Sequence, residues 1–197
     1  MKIIGITGPS GSGKSLLTTR LASMGYPVID ADEVYHSLLV PPSKCLDALR
    51  EVFGNDIFSP DGTMDRVALA KIVFSDKEKL ALLNGTVLPI VLDTIEDMIR
   101  ELEIQGKDRV ILDAPTLIES GFYKKCHTVI SVLCPKEIRV KRIVLRDGIS
   151  AQKAWERINA QKDDSFYREH SHIVITSDKE AEEFLSEAIS LLSGTVL

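Results

Sequence analysis

The chain has 197 residues, 44% hydrophobic and 27% charged, with a net charge of −5; this balance fits a folded globular domain with a sizeable core and excludes a broadly basic nucleic-acid-binding surface. No apolar run approaches the roughly 18 residues of a membrane helix, and Met1-Lys2 leads straight into a strand pattern with no leader read there. Cys45, Cys126 and Cys134 have neither zinc nor redox-pair spacing, so the expectation is a reduced, cytoplasmic protein without nucleic-acid or membrane partners.

Ile3-Ile4-Gly5-Ile6 predicts a first strand over about 2–7. It runs into Gly8-Pro9-Ser10-Gly11-Ser12-Gly13-Lys14-Ser15, followed by a helical pattern from about 14 to 24 carrying Leu16, Leu17, Leu21 and Ala22. This is G-x-x-x-x-G-K-[ST] in the strand-then-helix setting its mechanism requires. The glycines let the backbone curl so that successive N–H groups point inward, and the helix adds the positive end of its dipole. Lys14 can then reach the β- and γ-phosphates, and the Ser15 hydroxyl can sit on Mg²⁺. The stretch predicts a nucleotide-phosphate site.

Pro27-Val28-Ile29 predicts a brief second strand ending at Asp30-Ala31-Asp32. In an extended segment alternate side chains share a face, so both carboxylates can point one way. Asp32 is the first candidate for a general base and Asp30 the second, with helix capping as the other use for Asp30. His36, on the helix that follows, is a candidate substrate contact. A mainly helical insertion over about 33–105 is punctuated by Pro41-Pro42 and Ser59-Pro60-Asp61-Gly62. Within it Asp65 is expected to cap a helix bearing Val67, Leu69, Ile72 and Val73, and a later helix is expected from about 88 to 104, ended by Gly106. An insertion this long exceeds a simple crossover and reads as a substrate-binding subdomain.

Arg109-Val110-Ile111-Leu112 predicts a third strand ending at Asp113, which can hold a magnesium-bound water, contact substrate or merely cap the strand end. Further strands are expected over about 128–133 and 172–175, with a closing helix from about 178. Alternating strands and helices predict an α/β fold with a parallel sheet, whose ligands gather beyond the carboxyl ends of the strands. Between the last two strands, Pro135 opens a helix containing Arg139, Arg142 and Arg146. Arg142 and Arg146 share a face, with Arg139 one turn earlier. Beside a phosphate loop, such a stripe supplies the positive charge a transferring phosphoryl group needs. Ser150 is expected to cap the next helix. The chain has no Asn-Lys-x-Asp stretch of a guanine reader, and no strand ends in paired Asp-Glu. A small-molecule kinase is the expectation.

Several segments together resemble the dephospho-coenzyme A kinase family over essentially the whole chain. They are Gly5-Ile6-Thr7-Gly8 through Ser15, Val28-Ile29-Asp30-Ala31-Asp32, Phe53-Gly54, Asp61-Gly62-Thr63-Met64-Asp65-Arg66, Val73-Phe74 and Leu83-Asn84. They continue with Asp113-Ala114-Pro115-Thr116-Leu117-Ile118-Glu119-Ser120-Gly121, Arg142 through Arg146-Asp147, Arg157-Ile158 and Gln161. The resemblance implies a P-loop NTPase three-layer α/β fold with five parallel strands. It also implies a single kinase domain, with a core of about 1–32, 106–135 and 170–197, a helical coenzyme A-binding insertion over about 33–105, and a lid over about 136–169. The implied reaction passes the γ-phosphoryl of MgATP to the ribose 3′-hydroxyl of dephospho-coenzyme A.

Carried over by position, Asp32 matches the family's base, while Lys14 and Arg142 are catalytic. Gly8, Pro9, Ser10, Gly11, Ser12, Gly13, Lys14, Ser15 and Leu16 bind ATP phosphates, with Ser15 on Mg²⁺. Arg142 and Arg146 belong to the lid, and Thr7, Asp30, Asp32, His36, Asp113, Leu117 and Glu119 to the substrate side. The chain departs from the family pattern at Leu88-Pro89 (usually His-Pro), Arg139 (usually Gln), Ser171-His172 (usually Ala-Asp) and Ser177 (usually Asn). No oligomeric state is read from the sequence.

Overall fold

The computed structural model describes residues 1–195, apart from the side chains of Phe74 and Thr195. Its strands are β1 (Lys2–Thr7), β2 (Val28–Asp30), β3 (Arg109–Asp113), β4 (Thr128–Leu133) and β5 (Ile173–Thr176). Its helices are α1 (Lys14–Ser23), α2 (Ala31–Ser37), α3 (Lys44–Phe53), α4 (Arg66–Phe74), α5 (Lys77–Ile104), α6 (Lys136–Asp147), α7 (Ala151–Asn159), α8 (Asp164–Glu169) and α9 (Ala181–Thr195). The chain divides into two compact units, one formed by Met1–Ile29 with the chain from Leu102 onward, the other by Asp30–Glu101.

The first unit is built on a five-stranded sheet in the order β2-β3-β1-β4-β5. β1 pairs in parallel with β3 (Ile4 opposite Ile111) and with β4 (Ile6 opposite Ile130), and β4 pairs in parallel with β5. Strands of this kind are covered on both faces, which is why they read as continuous apolar runs. On one face Ile4, Ile6, Ile111, Ile130, Val132 and Ile175 pack against Leu17 and Leu21 of α1 and Phe184, Leu185, Ala188 and Leu192 of α9. The intervening side chains serve the other face, where Leu133 meets Ile118 and Tyr167. A glycine at Gly5 lets Leu117 and Cys126 approach β1, since a Cβ there would lie 2.5 Å from Leu117 Cδ2 and 2.8 Å from Cys126 Sγ. Burial pushes the Cys126 thiol up to about 12, which leaves it protonated and inert.

Helices α6 and α7 form a hairpin with a small core of its own, Val140, Ile143, Ala154 and Ile158. Ser150 caps α7, its Oγ accepting from the Lys153 N–H. Asp147 fastens the joint, accepting from Arg146 Nε at 2.6 Å and from Arg157. The hydrogen bond from Arg146, reinforced by that from Arg157, holds its carboxyl down to about 2. Because this folded value lies below the ordinary 3.8, the carboxylate stabilises the hairpin above about pH 4, and that contribution fades as pH falls toward 2. A carbon-detected NMR titration is expected to place the Asp147 midpoint near 2. Arg157→Ala should move it upward. A wild-type midpoint near the ordinary carboxylate value would show that the arginines do not grip Asp147.

The second unit is helical. Ser43 caps α3 and Asp65 caps α4, each side chain accepting from first-turn N–H groups. Cys45, Leu46, Leu49 and Ile57 are buried there, with the Arg50 guanidinium 4.2 Å above the Phe58 ring. The helix expected over 88–104 proves to be α5, 28 residues long and running through Pro89. A proline ordinarily breaks a helix by removing one bond and crowding the carbonyl four residues earlier. Here that earlier residue is Gly85, and the buried row Val87, Val91, Ile95 and Ile99 continues unbroken past the proline. The true start is set by Asp76, whose Oδ1 accepts from Glu78 N–H at 2.9 Å and Lys79 N–H at 3.3 Å. Gly106 ends it as expected, with φ of +78°.

Candidate active site

The loop between β1 and α1 is shaped by glycines that no other residue could replace. Gly8 has φ of +149°, and a Cβ there would sit 2.2 Å from the Val132 carbonyl oxygen. Gly13 has φ of +98°, and its Cβ would meet Ser177 Oγ at 2.8 Å. Gly13 also occupies the position before α1 and offers no side-chain cap. The Leu16 N–H already bonds the Gly13 carbonyl at 3.1 Å, which leaves the Lys14 and Ser15 N–H groups at the start of α1, with the positive end of the helix dipole, to face a ligand. No acidic residue stands in that turn to compete. Inside the loop the Ser12 hydroxyl is buried with no hydrogen-bond partner. Buried hydroxyls are ordinarily satisfied, so this atom suits an oxygen-rich ligand.

Lys14 reaches from α1 to Asp113 at the end of β3 and forms an ion pair with its Oδ1. The Asp113 side chain is 2% exposed and that of Lys14 12%. Thr18, one helical turn after Lys14, donates to Asp113 Oδ2 at 2.7 Å. Asp113 is thus tied to the phosphate helix by both oxygens, and a strand-end cap does not describe it. Thr18 carried one signal in the sequence, its i+4 spacing from Lys14.

The arginines of α6 differ in their surroundings. Nη1 of Arg142 lies 3.0 Å from Ser177 Oγ, and 3.4 Å from the carbonyl oxygens of Gly11 and Ser12 and from Cys134 Sγ. Its guanidinium is therefore lodged against the loop. Arg146 is exposed, held by Asp147 and 3.4 Å from Ser10 Oγ. Arg139, read as one end of a basic stripe, is buried instead and bonded to Ser10 and Gln161. Ser15 and Leu16 are exposed at the start of α1.

Other predicted substrate contacts are distributed differently. Thr7 is buried and donates to the Pro115 carbonyl at 3.1 Å, and Leu117 is buried in the core beside Gly5. Both serve packing in this structure, whereas Glu119 is exposed. In the second unit, Asp30 and Asp32 do not share an extended segment. β2 stops at Asp30, whose Oδ1 accepts from Asp32 N–H at 2.8 Å and Glu33 N–H at 3.2 Å. That cap begins α2 at Ala31, so Asp32 stands exposed in a first helical turn. His36 is exposed on the same helix, its ring 5.7 Å from that of Tyr35.

Among the described residues no cluster of three His, Cys, Asp or Glu is arranged to hold a metal. The oxygen donors at hand, the Ser15 hydroxyl and the Asp113 carboxylate, are of the hard type that Mg²⁺ takes when it shares its ligands with substrate phosphates.

Comparison with known proteins joins these features. A 190-residue stretch is 35% identical to a dephospho-CoA kinase of Corynebacterium glutamicum, covering 96% of this chain and 95% of that protein. The fold superposes with a TM-score of 0.73 on a dephospho-CoA kinase from Campylobacter jejuni, at 26% identity over 98% of this chain and 96% of that one. It superposes at 0.85 on the structure of TT1252 from Thermus thermophilus, at 32% identity over 100% and 98% of the two chains. A family model described as dephospho-CoA kinase matches residues 2–183, and with a phosphate loop, a helical unit and an arginine-bearing helix all inside that span, the chain belongs to the dephospho-CoA kinase family.

Proposed function

We propose that this protein transfers the γ-phosphoryl group of ATP to the ribose 3′-hydroxyl of dephospho-coenzyme A, with Asp32 as the group that accepts or orients the hydroxyl proton. The ATP-dependent phosphorylation of dephospho-coenzyme A itself rests on one observation. The family match runs from residue 2 to 183, so it takes in the helical unit and the arginine helix along with the widely shared phosphate loop.

In this reading the loop amides and the N-terminus of α1 hold the phosphates, and the Ser12 hydroxyl gains the partner it lacks. Lys14 exchanges Asp113 for phosphate oxygens when ATP arrives. Asp113 keeps its bond from Thr18 and, with the Ser15 hydroxyl, would hold Mg²⁺. The metal supplies charge neutralisation on the phosphate oxygens. Arg142 leaves the loop carbonyls for the transferring group, where added positive charge lowers the barrier. Asp32 suits proton acceptance because it is solvent-accessible and its main chain, held by the Asp30 cap, fixes its place in the first turn of α2.

Purified protein with MgATP, offered dephospho-coenzyme A, shikimate and nucleosides in parallel, provides the test. The expected product is coenzyme A, identified by mass, with ADP released only in the presence of dephospho-coenzyme A. Transfer to another alcohol, or ADP release independent of any acceptor, would displace this reading.

A further inference from the structure

We propose that Arg139 is a positioning residue which, together with Gln161, clamps the first half of the phosphate loop in the shape that receives ATP. The inference deepens the functional reading above and rests on its assignment of the loop to ATP phosphates.

Arg139 leaves the basic stripe and turns inward, with only 2% of its surface exposed. Its Nε donates to the Ser10 carbonyl at 2.9 Å, and its Nη2 donates to Gln161 Oε1 at 2.6 Å. The same Gln161 oxygen accepts from the Ser10 N–H at 3.2 Å. The three residues close a ring. Both main-chain polar groups of Ser10 are taken by side chains, one from α6 and one from the turn after α7. Ser10 lies in no strand or helix, so neither group has a ladder partner to fix its direction. The contact continues to the next residue, where a Cβ on Gly11 would lie 3.0 Å from the Arg139 carbonyl oxygen and 3.2 Å from its Cα. The loop therefore rests directly on the backbone of α6.

Charge points the same way. The hydrogen-bonding partners of Arg139 are a carbonyl and an amide, both neutral. Burial pulls its guanidinium below the usual arginine value, yet it stays protonated at physiological pH. The Asp164 carboxylate offsets part of the cost of that burial through space, but the buried cation has no carboxylate among its hydrogen-bond partners, and an anion arriving nearby would compensate it further. The loop it grips is an anion site. A loop whose shape is set in advance also loses less conformational freedom when the ligand binds.

Binding of MgATP to the intact protein, measured by calorimetry without acceptor, tests this, alongside melting temperature and the division of effects between kcat and KM. Arg139→Met removes the charge and both bonds at similar volume. It is expected to weaken MgATP by about tenfold, while kcat at saturating ATP changes by less than about threefold, in line with the loss of charge-assisted hydrogen bonds. Arg139→Lys keeps the charge and one bond and should fall between wild type and Arg139→Met. Gln161→Leu, which frees the Ser10 N–H, should weaken MgATP by about threefold. Should Arg139→Met fail to fold, the lysine and Gln161 variants carry the test. A lower melting temperature with unchanged MgATP affinity would make Arg139 a packing residue only and overturn the proposal. Wild-type protein that binds MgATP but leaves dephospho-coenzyme A unphosphorylated would sink the functional reading and leave the clamp to stand or fall on the binding data. Wild-type protein that binds no MgATP would end both.

Discussion

Asp32→Asn is expected to lower turnover on dephospho-coenzyme A by on the order of 10²-fold or more, the range for loss of a positioned acid–base group, with MgATP affinity nearly unchanged. The reason lies in what the substitution leaves intact. Asparagine has the shape of aspartate but no basic oxygen to take a proton. The bonds that start α2 are donated by the main-chain N–H groups of Asp32 and Glu33 to the Asp30 carboxylate, so the cap survives. Steady-state kinetics with either substrate varied, together with a melting curve, would check it. The effect should fall on kcat, with KM for ATP close to wild type and no loss of melting temperature. Turnover close to wild type in a folded variant would take the proton-accepting role away from Asp32.

The second large effect concerns Lys14, which pairs with Asp113 in the structure and in the proposed reaction turns to the phosphates. Lys14→Met should reduce turnover by on the order of 10²–10³-fold, as expected when a donor to transition-state charge is lost. It should also destabilise the fold, because the buried Asp113 side chain, 2% exposed, loses its cation. Stranding one member of a buried pair costs roughly 3–5 kcal/mol, and the bond Asp113 retains from Thr18 puts the expectation at the low end. The two losses can be separated. Lys14→Met combined with Asp113→Leu removes both charges and should recover most of the stability while turnover stays lost. Chemical denaturation of the single and double variants measures the first, and product formation the second. A double variant no more stable than Lys14→Met would show that the pair contributes little. A Lys14→Met enzyme with ordinary turnover would free the lysine from phosphate binding.

Local patterns in the chain fared unevenly, and for physical reasons. Strand runs such as Thr128-Val129-Ile130-Ser131-Val132-Leu133 are apolar on both faces because helices cover both sides of a parallel sheet, and β4 has those bounds. Asp65 and Ser150 were legible as caps because the cap and the N–H groups it accepts from lie within three residues of one another. Asp30 and Asp32 were harder. Alternation alone allowed an extended pair, but the capping bond from Asp30 ends the strand one residue before Ala31 and places Asp32 on a helix. The helix expected from about 88 starts instead at Lys77 and runs through Pro89, with the buried row from Val87 to Ile99 continuous across it.

The candidate site divides along the same line. Eight consecutive residues, Gly8 to Ser15, carry the phosphate loop by themselves, since the curl, the exposed amides and the lysine are local properties of one turn and the helix it starts. For the same reason the kinase family was readable from short strings spread along the chain. What the loop is held by could not be read that way. Arg139 and Gln161 lie 129 and 151 residues from Ser10 in the chain, and Asp113 lies 99 from Lys14. A helical stripe of arginines looks the same in sequence whether its members face water or the interior. Only the packing of α6 against the loop decided that Arg139 would be buried and that Arg142 would lodge beside Ser177. Sequence determined the chemistry that short stretches can hold. Long-range packing determined which side chains remain available to use it.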